Sequence, residues 1–482
     1  MSYKKFTKDV FLMGIIAAIL ALKTLIILPI ITKILGAENY GVWTQILVTV
    51  SFLSPIVTLG LPFTMVRFLA AEKDIEEIRD GVYSVLTLIF GACLITVSIL
   101  FIFSKPASIF LGCPTSLIGV LSLIILFESI NLVFLYVFRA FQQIKKYSFF
   151  VIFQTFLEIG LVIVAVSLNF GLFGAVVSLL IARLANFILM SISTIYRIGI
   201  AFPRFLRIKE YLSFGLPTIP ANFSYWVLNT SDRYLIGYFL GTLAVGYYAP
   251  GYAIGYCVNL FIGPLWFILP AALSKHFDEN RISEVKTYLK YSLKYFLAIT
   301  IPAIFGLSIL SKQLLIIFST QEIAENGYLV VPFVALSTLF FGIYAIFSQI
   351  LTLVKKTKLD AKVQIIAAIT NIALNIILIP RFGILAAAFT TCFSFFVLAL
   401  LEMYYSYKEL AFEIDWNFIY KSLIASILMS TLVILFSPSG IIKTLIIIVI
   451  SVVFYFILLL IFKGFEKKEI SLLKSLMVKT GL

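Results

Sequence analysis

Long, uninterrupted apolar runs recur along the whole of this 482-residue chain. A run of about eighteen or more apolar residues is long enough to cross the hydrocarbon core of a bilayer as a helix. Because the runs are continuous rather than alternating, a membrane β-barrel is excluded. Charged residues make up only 12% of the chain, against about 25% in soluble globular domains. The sequence therefore predicts an all-α polytopic membrane protein.

The apolar runs divide into about fourteen transmembrane helices. The first is too long for a secretory leader and no small-residue cleavage site follows it, so it is read as a permanent span. The predicted spans are 10–34, 41–66, 81–103, 115–138, 147–169, 172–195, 211–239, 243–272, 293–318, 328–354, 363–380, 382–405, 419–437 and 441–462. The charged, amphipathic segment from Ser274 to Tyr295 predicts a helix lying at the inner interface before span nine.

Basic residues indicate the orientation of these spans. If the N-terminus is cytoplasmic, most of the 37 Lys and Arg residues fall in cytoplasmic tails and loops, as the positive-inside rule requires. The formal charge of +14 then reflects topology, and no nucleic-acid partner is expected. We predict a multi-pass protein of the cytoplasmic (inner) membrane with both termini in the cytoplasm.

The sequence contains an internal repeat, which is clearest at two Leu-Gly turns. "ILGAENYGVW" (34–43) and "FLGTLAVGYY" (239–248) share Leu-Gly, four residues, Gly, one residue and an aromatic residue. "DIEEIR" (74–79) is echoed by "RISEVK" (281–286), and "NFGLFGAVVS" (169–178) by "RFGILAAAFT" (381–390). Three matches in order predict two parallel six-helix repeats related by an axis along the membrane normal. The glycines themselves are expected to permit tight turns.

We single out six ionisable residues inside predicted spans, because a charge there costs at least a few kcal/mol unless it is paired or hydrated. They are Lys23 in span one, Glu128 in span four, Glu158 in span five, Arg183 in span six, and Asp232 and Arg233 in span seven.

Two interpretations of these charges are open. In the first, Lys23 and Arg183 neutralise the two glutamates and hold the first half of the protein together. In the second, Lys23, Arg183 and Arg233 line a hydrated cavity between two lobes and receive an anionic substrate. For Asp232, the simpler alternative is a local ion pair with Arg233.

Amides accompany these charges. Asn222, Asn229 and Arg233 are seven and four residues apart and share one helical face, as do Asn371 and Asn375. Such residues either line a wet path with the cations or bind neighbouring helices. The chain has one histidine and four scattered cysteines, so no cofactor, metal or catalytic site is expected.

Three stretches resemble the polysaccharide biosynthesis proteins, the Wzx-type (O-antigen) flippases of lipid-linked oligosaccharides in the multidrug/oligosaccharidyl-lipid/polysaccharide exporter superfamily. They are "LPIITKILGAENYGVWTQ", "SFGLPTIPANFSYWVLNTSDRYLIGYFLGTLAVGYYAPGYAIG" and "LPAALSKHFDENRISEVKTYLKYSLKYF". By this resemblance, Asp232 and Arg233 match the family's Asp-Arg pair before the second Leu-Gly turn, and Lys23 matches a basic residue of the first span. Unlike the related lipid II flippases, this chain has no Lys or Arg well inside spans two and eight.

The resemblance implies a V-shaped, two-lobe transporter that is not an enzyme. Its lobes would be 1–205 (helices 1–6) and 206–410 (helices 7–12), followed by 411–482 with helices 13–14 and a cytoplasmic tail. It would carry a polyprenyl-diphosphate-linked glycan from the inner to the outer leaflet by alternating access. Membrane lipid, and a glycan polymerase or glycosyltransferases, would be its partners.

Coupling to protons is expected at Glu128, Glu158 or Asp232, because burial favours the neutral form of a carboxyl group. Two alternatives remain: a cation-coupled multidrug exporter of the same superfamily, and a membrane glycosyltransferase or ligase. The short outer loops, with few acidic residues, disfavour the enzyme.

Overall fold

A computed structural model describes residues 3–70, 72, 74–466 and 469 of the chain. The regular structure in these ranges is helical, without strands. The α-helices are α1 (Tyr3–Val57), α2 (Leu61–Leu69), α3 (Ile75–Ile102), α4 (Ser104–Leu111), α5 (Thr115–Ala140), α6 (Ile144–Ser167), α7 (Gly171–Ile198), α8 (Ile208–Gly215), α9 (Ile219–Leu240), α10 (Thr242–Gly255), α11 (Gly263–Asp278), α12 (Ile282–Phe318), α13 (Gln321–Gly327), α14 (Val330–Leu353), α15 (Thr357–Phe382), α16 (Ile384–Glu409), α17 (Trp416–Phe436) and α18 (Ile441–Ile461). Short 3₁₀ helices lie at Leu216–Thr218 and Tyr256–Phe261.

Eleven of the described helices are long and apolar enough to cross a membrane. They are α1 from Leu12 onward, α3, α5, α6, α7, α12 and α14 to α18. This confirms the prediction of an all-α polytopic membrane protein, whereas the count of fourteen spans stays a prediction. The α1 helix contains the first predicted span and most of the second, with a kink at Gly36 between them.

The predicted seventh and eighth spans are not continuous helices. The seventh is divided into α8, a 3₁₀ turn and α9, and the eighth into α10, a 3₁₀ helix and α11. Pro217, Pro220 and Pro264 lie at these interruptions, where proline cannot donate the backbone hydrogen bond of a regular helix. The predicted interfacial helix from Ser274 to Tyr295 is likewise wrong as a single element, because its residues are shared between α11 and α12.

Contacts group the chain into two compact units. The first comprises 1–250, 318–323 and 364–390, and the second comprises 251–317, 324–363 and 391–482. In the first unit, a hydrophobic core joins α1, α2, α3, α5, α6 and α7. In the second unit, α17 and α18 pack on α12, where the Tyr455 hydroxyl donates a 2.9 Å hydrogen bond to the carbonyl of Ala298.

The repeated turns share their backbone conformation. Gly36 has φ 85° and ψ 175°, and Gly241, at the matching position of the second turn, has φ 84° and ψ 172°. In the third repeat match, Gly171 and Gly383 also have positive φ angles, of 61° and 69°. Side chains other than hydrogen rarely tolerate these angles. The duplicated sequence thus encodes duplicated backbone geometry.

Candidate functional site

Four of the predicted site residues meet in one place, called here the Glu158 cluster: Lys23, Glu128, Glu158 and Arg183. The Lys23 ammonium contacts Oε2 of Glu158, while Nη1 of Arg183 lies 2.5 Å from Oε1 of the same carboxylate. Nε of Arg183 lies 2.7 Å from Oε2 of Glu128. Two cations and two carboxylates therefore balance, as buried charges require.

Four helices of the first unit bring these residues together. Lys23 is on α1, Glu128 on α5, Glu158 on α6 and Arg183 on α7. On α7, the buried positions recur at helical spacing, so that the guanidinium of Arg183 is carried on the same face as the apolar residues that pack against α5 and α6. The cluster is therefore fixed by the packing of the core.

Amide side chains surround the Glu158 cluster. Nε2 of Gln154 donates to Oε1 of Glu158 at 3.3 Å, and Nδ2 of Asn186 donates to Oε1 of Gln154 at 2.7 Å. Nδ2 of Asn131 donates to the main-chain carbonyl of Arg183 at 3.0 Å. These bonds orient Glu158 and Arg183, since a charged group in an apolar interior needs hydrogen bonds as well as an ion pair.

Exposure divides the cluster into an inner and an outer pair. Glu158 is fully buried and the Arg183 side chain is 7% exposed, whereas the side chains of Lys23 and Glu128 are 25% and 24% exposed. One cation and one carboxylate thus reach the accessible surface of the first unit. The structure shows the internal pairing that the first interpretation predicts, with Lys23 and Glu128 partly exposed.

Asp232 and Arg233 form a second charged group, on α9. Nη1 of Arg233 lies 2.9 Å from Oδ1 of Asp232, and the Tyr248 hydroxyl of α10 donates to Oδ2. Nε2 of Gln45 donates to the carbonyl of Arg233 at 2.8 Å. Both charged side chains are buried, and they form the local ion pair that the sequence suggested.

The amides of α9 and α15 have different surroundings. Arg233 donates to the carbonyl of Asn229, which confirms that these two positions adjoin on one face of α9. Asn222, near the start of α9, is exposed. Asn371 and Asn375 are fully buried and joined by a 3.0 Å hydrogen bond. Because Asn371 also accepts from Ser231 of α9 at 3.4 Å, these amides bind neighbouring helices.

Three buried polar residues seen in the structure were not predicted from the sequence. Lys294, at the inner edge of predicted span nine, is buried against Glu469 and Asp415. Asp80, one residue before predicted span three, receives hydrogen bonds from the segment that follows α7. Glu402 lies inside predicted span twelve and is fully buried. The position of Glu402 in an apolar run was a signal available from the sequence.

The described residues contain no group of three or more His, Cys, Asp or Glu side chains placed to hold a metal ion. The charged residues of the Glu158 cluster and of the Asp232–Arg233 pair instead form balanced ion pairs inside helical packing.

Residues 30–326 match the family model described as "Polysaccharide biosynthesis protein". The chain belongs to this family. A curated relative, "Probable low-salt glycan biosynthesis flippase Agl15" of Haloferax volcanii, is 22% identical over 228 residues, which cover 47% of this chain and 48% of the relative. The chain therefore spans about half the length of that protein.

Solved structures extend the likeness to nearly the whole chain. The lipid II flippase MurJ in an inward-closed conformation has a TM-score of 0.76 at 18% identity, covering 95% of this chain and 98% of that one. An inward-facing multidrug resistance MATE family transporter of the MOP superfamily has a TM-score of 0.67 at 16% identity, covering 81% and 94%. This chain thus has the fold of these transporters.

Proposed function

We propose that this protein is a flippase that carries a polyprenyl-diphosphate-linked glycan from the inner to the outer leaflet by alternating access. The membrane would be the cytoplasmic one, with both chain termini in the cytoplasm. Membership of a polysaccharide biosynthesis family, and a relative named as a glycan biosynthesis flippase, support a lipid-linked glycan as the cargo. Glycosyltransferases or a glycan polymerase would supply or consume it.

The physical difficulty of this task lies in the diphosphate group. Moving one ion from water into a medium of low dielectric has an idealised cost of about 20 kcal/mol. A flippase must replace the lost hydration with fixed cations and hydrogen-bond donors, while the isoprenoid chain stays in lipid. Binding must also be reversible on both sides of the membrane, so the cations need alternative partners when the cargo leaves.

The Glu158 cluster is the observation that carries the proposal. Lys23 and Arg183 share one carboxylate, and Lys23 is a quarter exposed. An arriving diphosphate would compete with Glu158 for these cations, and release of the cargo would restore the internal ion pairs. The cluster therefore offers a binding site whose empty state is already neutralised.

Protons could control this competition between the diphosphate and the carboxylates for Lys23 and Arg183. Protonation of Glu128 or Glu158 would free Arg183 and Lys23 to bind the diphosphate, because a neutral carboxyl competes poorly for a cation. Arg233, with Asn229 and Asn222 along α9, would form a further stretch of the substrate path, and Asp232 would be a third candidate for ion coupling. The two lobes, 1–205 and 206–410, would alternate around this path, with 411–482 appended.

Export of glycan by cells that depend on this protein tests the proposal. Lys23→Ala is expected to abolish export while the protein remains in the membrane at its normal level. Lys33→Ala is the matched control, since Lys33 is an exposed base on the same helix, and export should continue. Normal export with Lys23→Ala would refute the role of Lys23 in the substrate path.

The family and its relatives do not favour a multidrug exporter or a membrane glycosyltransferase. A drug-resistance assay in cells lacking their own exporters distinguishes a multidrug exporter from a glycan flippase, because a glycan flippase confers no resistance. Incubation of the purified protein with lipid-linked glycan separates the second, because a flippase leaves the glycan unchanged.

A further inference from the structure

Glu402 is an acidic residue inside an apolar, membrane-spanning helix. It lies on α16, seven residues before the end of this helix, or about 10 Å along its axis. The residue has no exposed surface, and neither carboxyl oxygen has a hydrogen-bond partner in the described residues. The fully buried Glu158 differs, because it has two cations and an amide bound to it.

The face of α16 that carries Glu402 is packed against α14. Phe395, seven residues earlier, lies edge-on to Phe341 with 5.5 Å between ring centroids. The Ser406 hydroxyl, four residues later, donates a 3.0 Å hydrogen bond to the carbonyl of Phe347. Positions seven and four residues apart share one face of a helix. Glu402 is therefore held between two tight contacts with α14.

Among the residues that the structure describes, the titratable groups that act on Glu402 do not include a cation. From α14, the titratable residue is Tyr344, whose hydroxyl donates to Oδ1 of Asp360 at 3.0 Å. Asp360, on α15, is the charged group that acts on Glu402, and it carries the same sign. Like charges and desolvation both disfavour an ionised carboxyl group.

The bases on α15 and α16 lie at exposed positions, unlike the fully buried Glu402. Lys358, Lys362 and Arg381 are the bases of α15. On α16 itself, Lys408 lies 4.1 Å from the ring centroid of Tyr404. Glu409, the remaining acidic residue of α16, lies 2.7 Å from Lys356.

We infer that Glu402 is a proton-binding site, occupied by a proton in this conformation. An unpaired carboxylate in an apolar interior is so costly that the neutral form replaces it. Release of the proton then requires a rearrangement that brings water or a cation to α16. Separation of α16 from α14 at this level would provide it, so the conformation of these helices is linked to protonation of Glu402.

This site is distinct from Glu128, Glu158 and Asp232. If the proposed flippase function holds, Glu402 supplies a proton-coupling group in the second half of the chain. The presence of the proton itself does not depend on the identity of the cargo, so the two proposals are separable by experiment.

Infrared difference spectroscopy of the purified, full-length protein in lipid nanodiscs at pH 7 tests the inference without cargo. The C=O stretching band of protonated carboxyl groups should be present in the wild type and should lose one carboxyl's intensity in Glu402→Gln. Glu158→Gln is the matched control and should leave the band unchanged, since Glu158 is ionised between Lys23 and Arg183. A wild-type band that persists unchanged in Glu402→Gln would overturn the inference.

A second variant, Glu402→Leu, keeps the test decisive if the Glu402→Gln protein does not fold. Glu402→Leu removes the carboxyl and is apolar, so it suits an interior that holds a neutral group, and it should give a monodisperse protein with the same loss of intensity. If both variants fail to give folded protein while Glu158→Gln folds, Glu402 has an ionic role and the inference is wrong. Loss of the band in a protein whose Lys23→Ala variant exports glycan normally would uphold the proton site and refute only the flippase proposal.

Discussion

Gly41 packs directly against the backbone of Thr242, and the internal repeat of the sequence generates a second copy of this contact. Ala37 and Gly41 in the first Leu-Gly turn correspond to Thr242 and Gly246 in the second, at an offset of 205 residues. A Cβ atom at Gly41 would lie 1.9 Å from the carbonyl oxygen of Thr242, and one at Gly246 would lie 1.9 Å from that of Ala37. The duplicated turns therefore bind each other reciprocally, as the equivalent surfaces of a symmetric dimer do.

Replacement of Gly41 or Gly246 by Ala is expected to destabilise the protein. Both contacted carbonyl oxygens belong to the backbone, so the helices must move apart to admit a methyl group, at a cost of about 1–3 kcal/mol or more. Thermal unfolding of the detergent-solubilised protein, followed by size-exclusion chromatography, measures the effect. Gly119→Ala and Gly160→Ala are matched controls, because a Cβ atom at either helical position meets nothing within 4 Å. Equal melting temperatures for Gly41→Ala and these controls would contradict the reciprocal packing.

Loss of Arg183 should be more damaging than loss of both Arg183 and its buried partner. Arg183→Met leaves Glu158 with Lys23 alone and removes the ion-pair partner of Glu128, and breaking such a buried pair costs about 3–5 kcal/mol. Adding Glu158→Gln leaves only Lys23 and Glu128, which carry opposite charges and are each about a quarter exposed. The double variant should regain at least half of the lost stability in the same unfolding assay. Additive losses would show that the two residues are not coupled.

The sequence predicted the elements that follow from periodicity and composition. The apolar runs predicted the helical spans. The sequence repeat paired Gly36 with Gly241 and Gly171 with Gly383, and the φ angles within each pair are similar. What escaped prediction depends on long-range packing. The choice of Glu158 as the carboxylate shared by Lys23 and Arg183 is made by contacts among α1, α6 and α7, which no local pattern encodes. Breaks within spans seven and eight were hidden because hydropathy averages across them.

The Asp80 carboxylate accepts three of the hydrogen bonds that hold the segment between α7 and α8. Asp80 accepts hydrogen bonds from the main-chain N–H groups of Arg204, Phe205 and Leu206. Asp80→Asn removes the charge and one acceptor, and hydrogen bonds to a charged group contribute about 1.5–3 kcal/mol. We expect faster amide hydrogen exchange at residues 204–206, measured by mass spectrometry.

The control for Asp80 is Glu76→Gln. Glu76 forms an ion pair with Arg204 at 3.5 Å between side chains that are both 65% exposed, and such pairs contribute less than about 1 kcal/mol. Exchange at 204–206 should be nearly unchanged. Equally fast exchange in both variants would show that the Asp80 carboxylate orders this segment no more than the exposed ion pair does.

Cys113, between α4 and α5, is expected to react slowly with a maleimide. The residue is 6% exposed, and burial raises the pKa of its thiol to about 11. Because the thiolate is the reacting form, the rate should rise about tenfold per pH unit from pH 7 to pH 10, whereas an ordinary thiol levels off above its pKa of about 8.5. The measurement uses a variant with Cys113 as its single cysteine.

A variant whose single cysteine replaces the exposed Lys105 is the control for Cys113. Lys105 lies on the neighbouring helix α4, so the two thiols share one side of the protein. The Lys105→Cys thiol should react much faster at pH 7. Equal rates and pH profiles for the two thiols would contradict the burial of Cys113.

Lys294 ties α12 to the chain beyond α18. Its ammonium lies 2.8 Å from Oε2 of Glu469 and 3.3 Å from Oδ2 of Asp415, and its side chain is 1% exposed. Glu469→Ala leaves this cation with only the partly exposed Asp415, so we expect a loss of about 3–5 kcal/mol, as for other broken buried pairs. Glu466→Ala is the matched control, because Glu466 meets the exposed hydroxyl of Tyr291 at 3.5 Å and its removal should have little effect. Thermal unfolding of the two variants measures the difference. A Glu469→Ala protein that is as stable as the Glu466→Ala protein would mean that Asp415 alone satisfies Lys294.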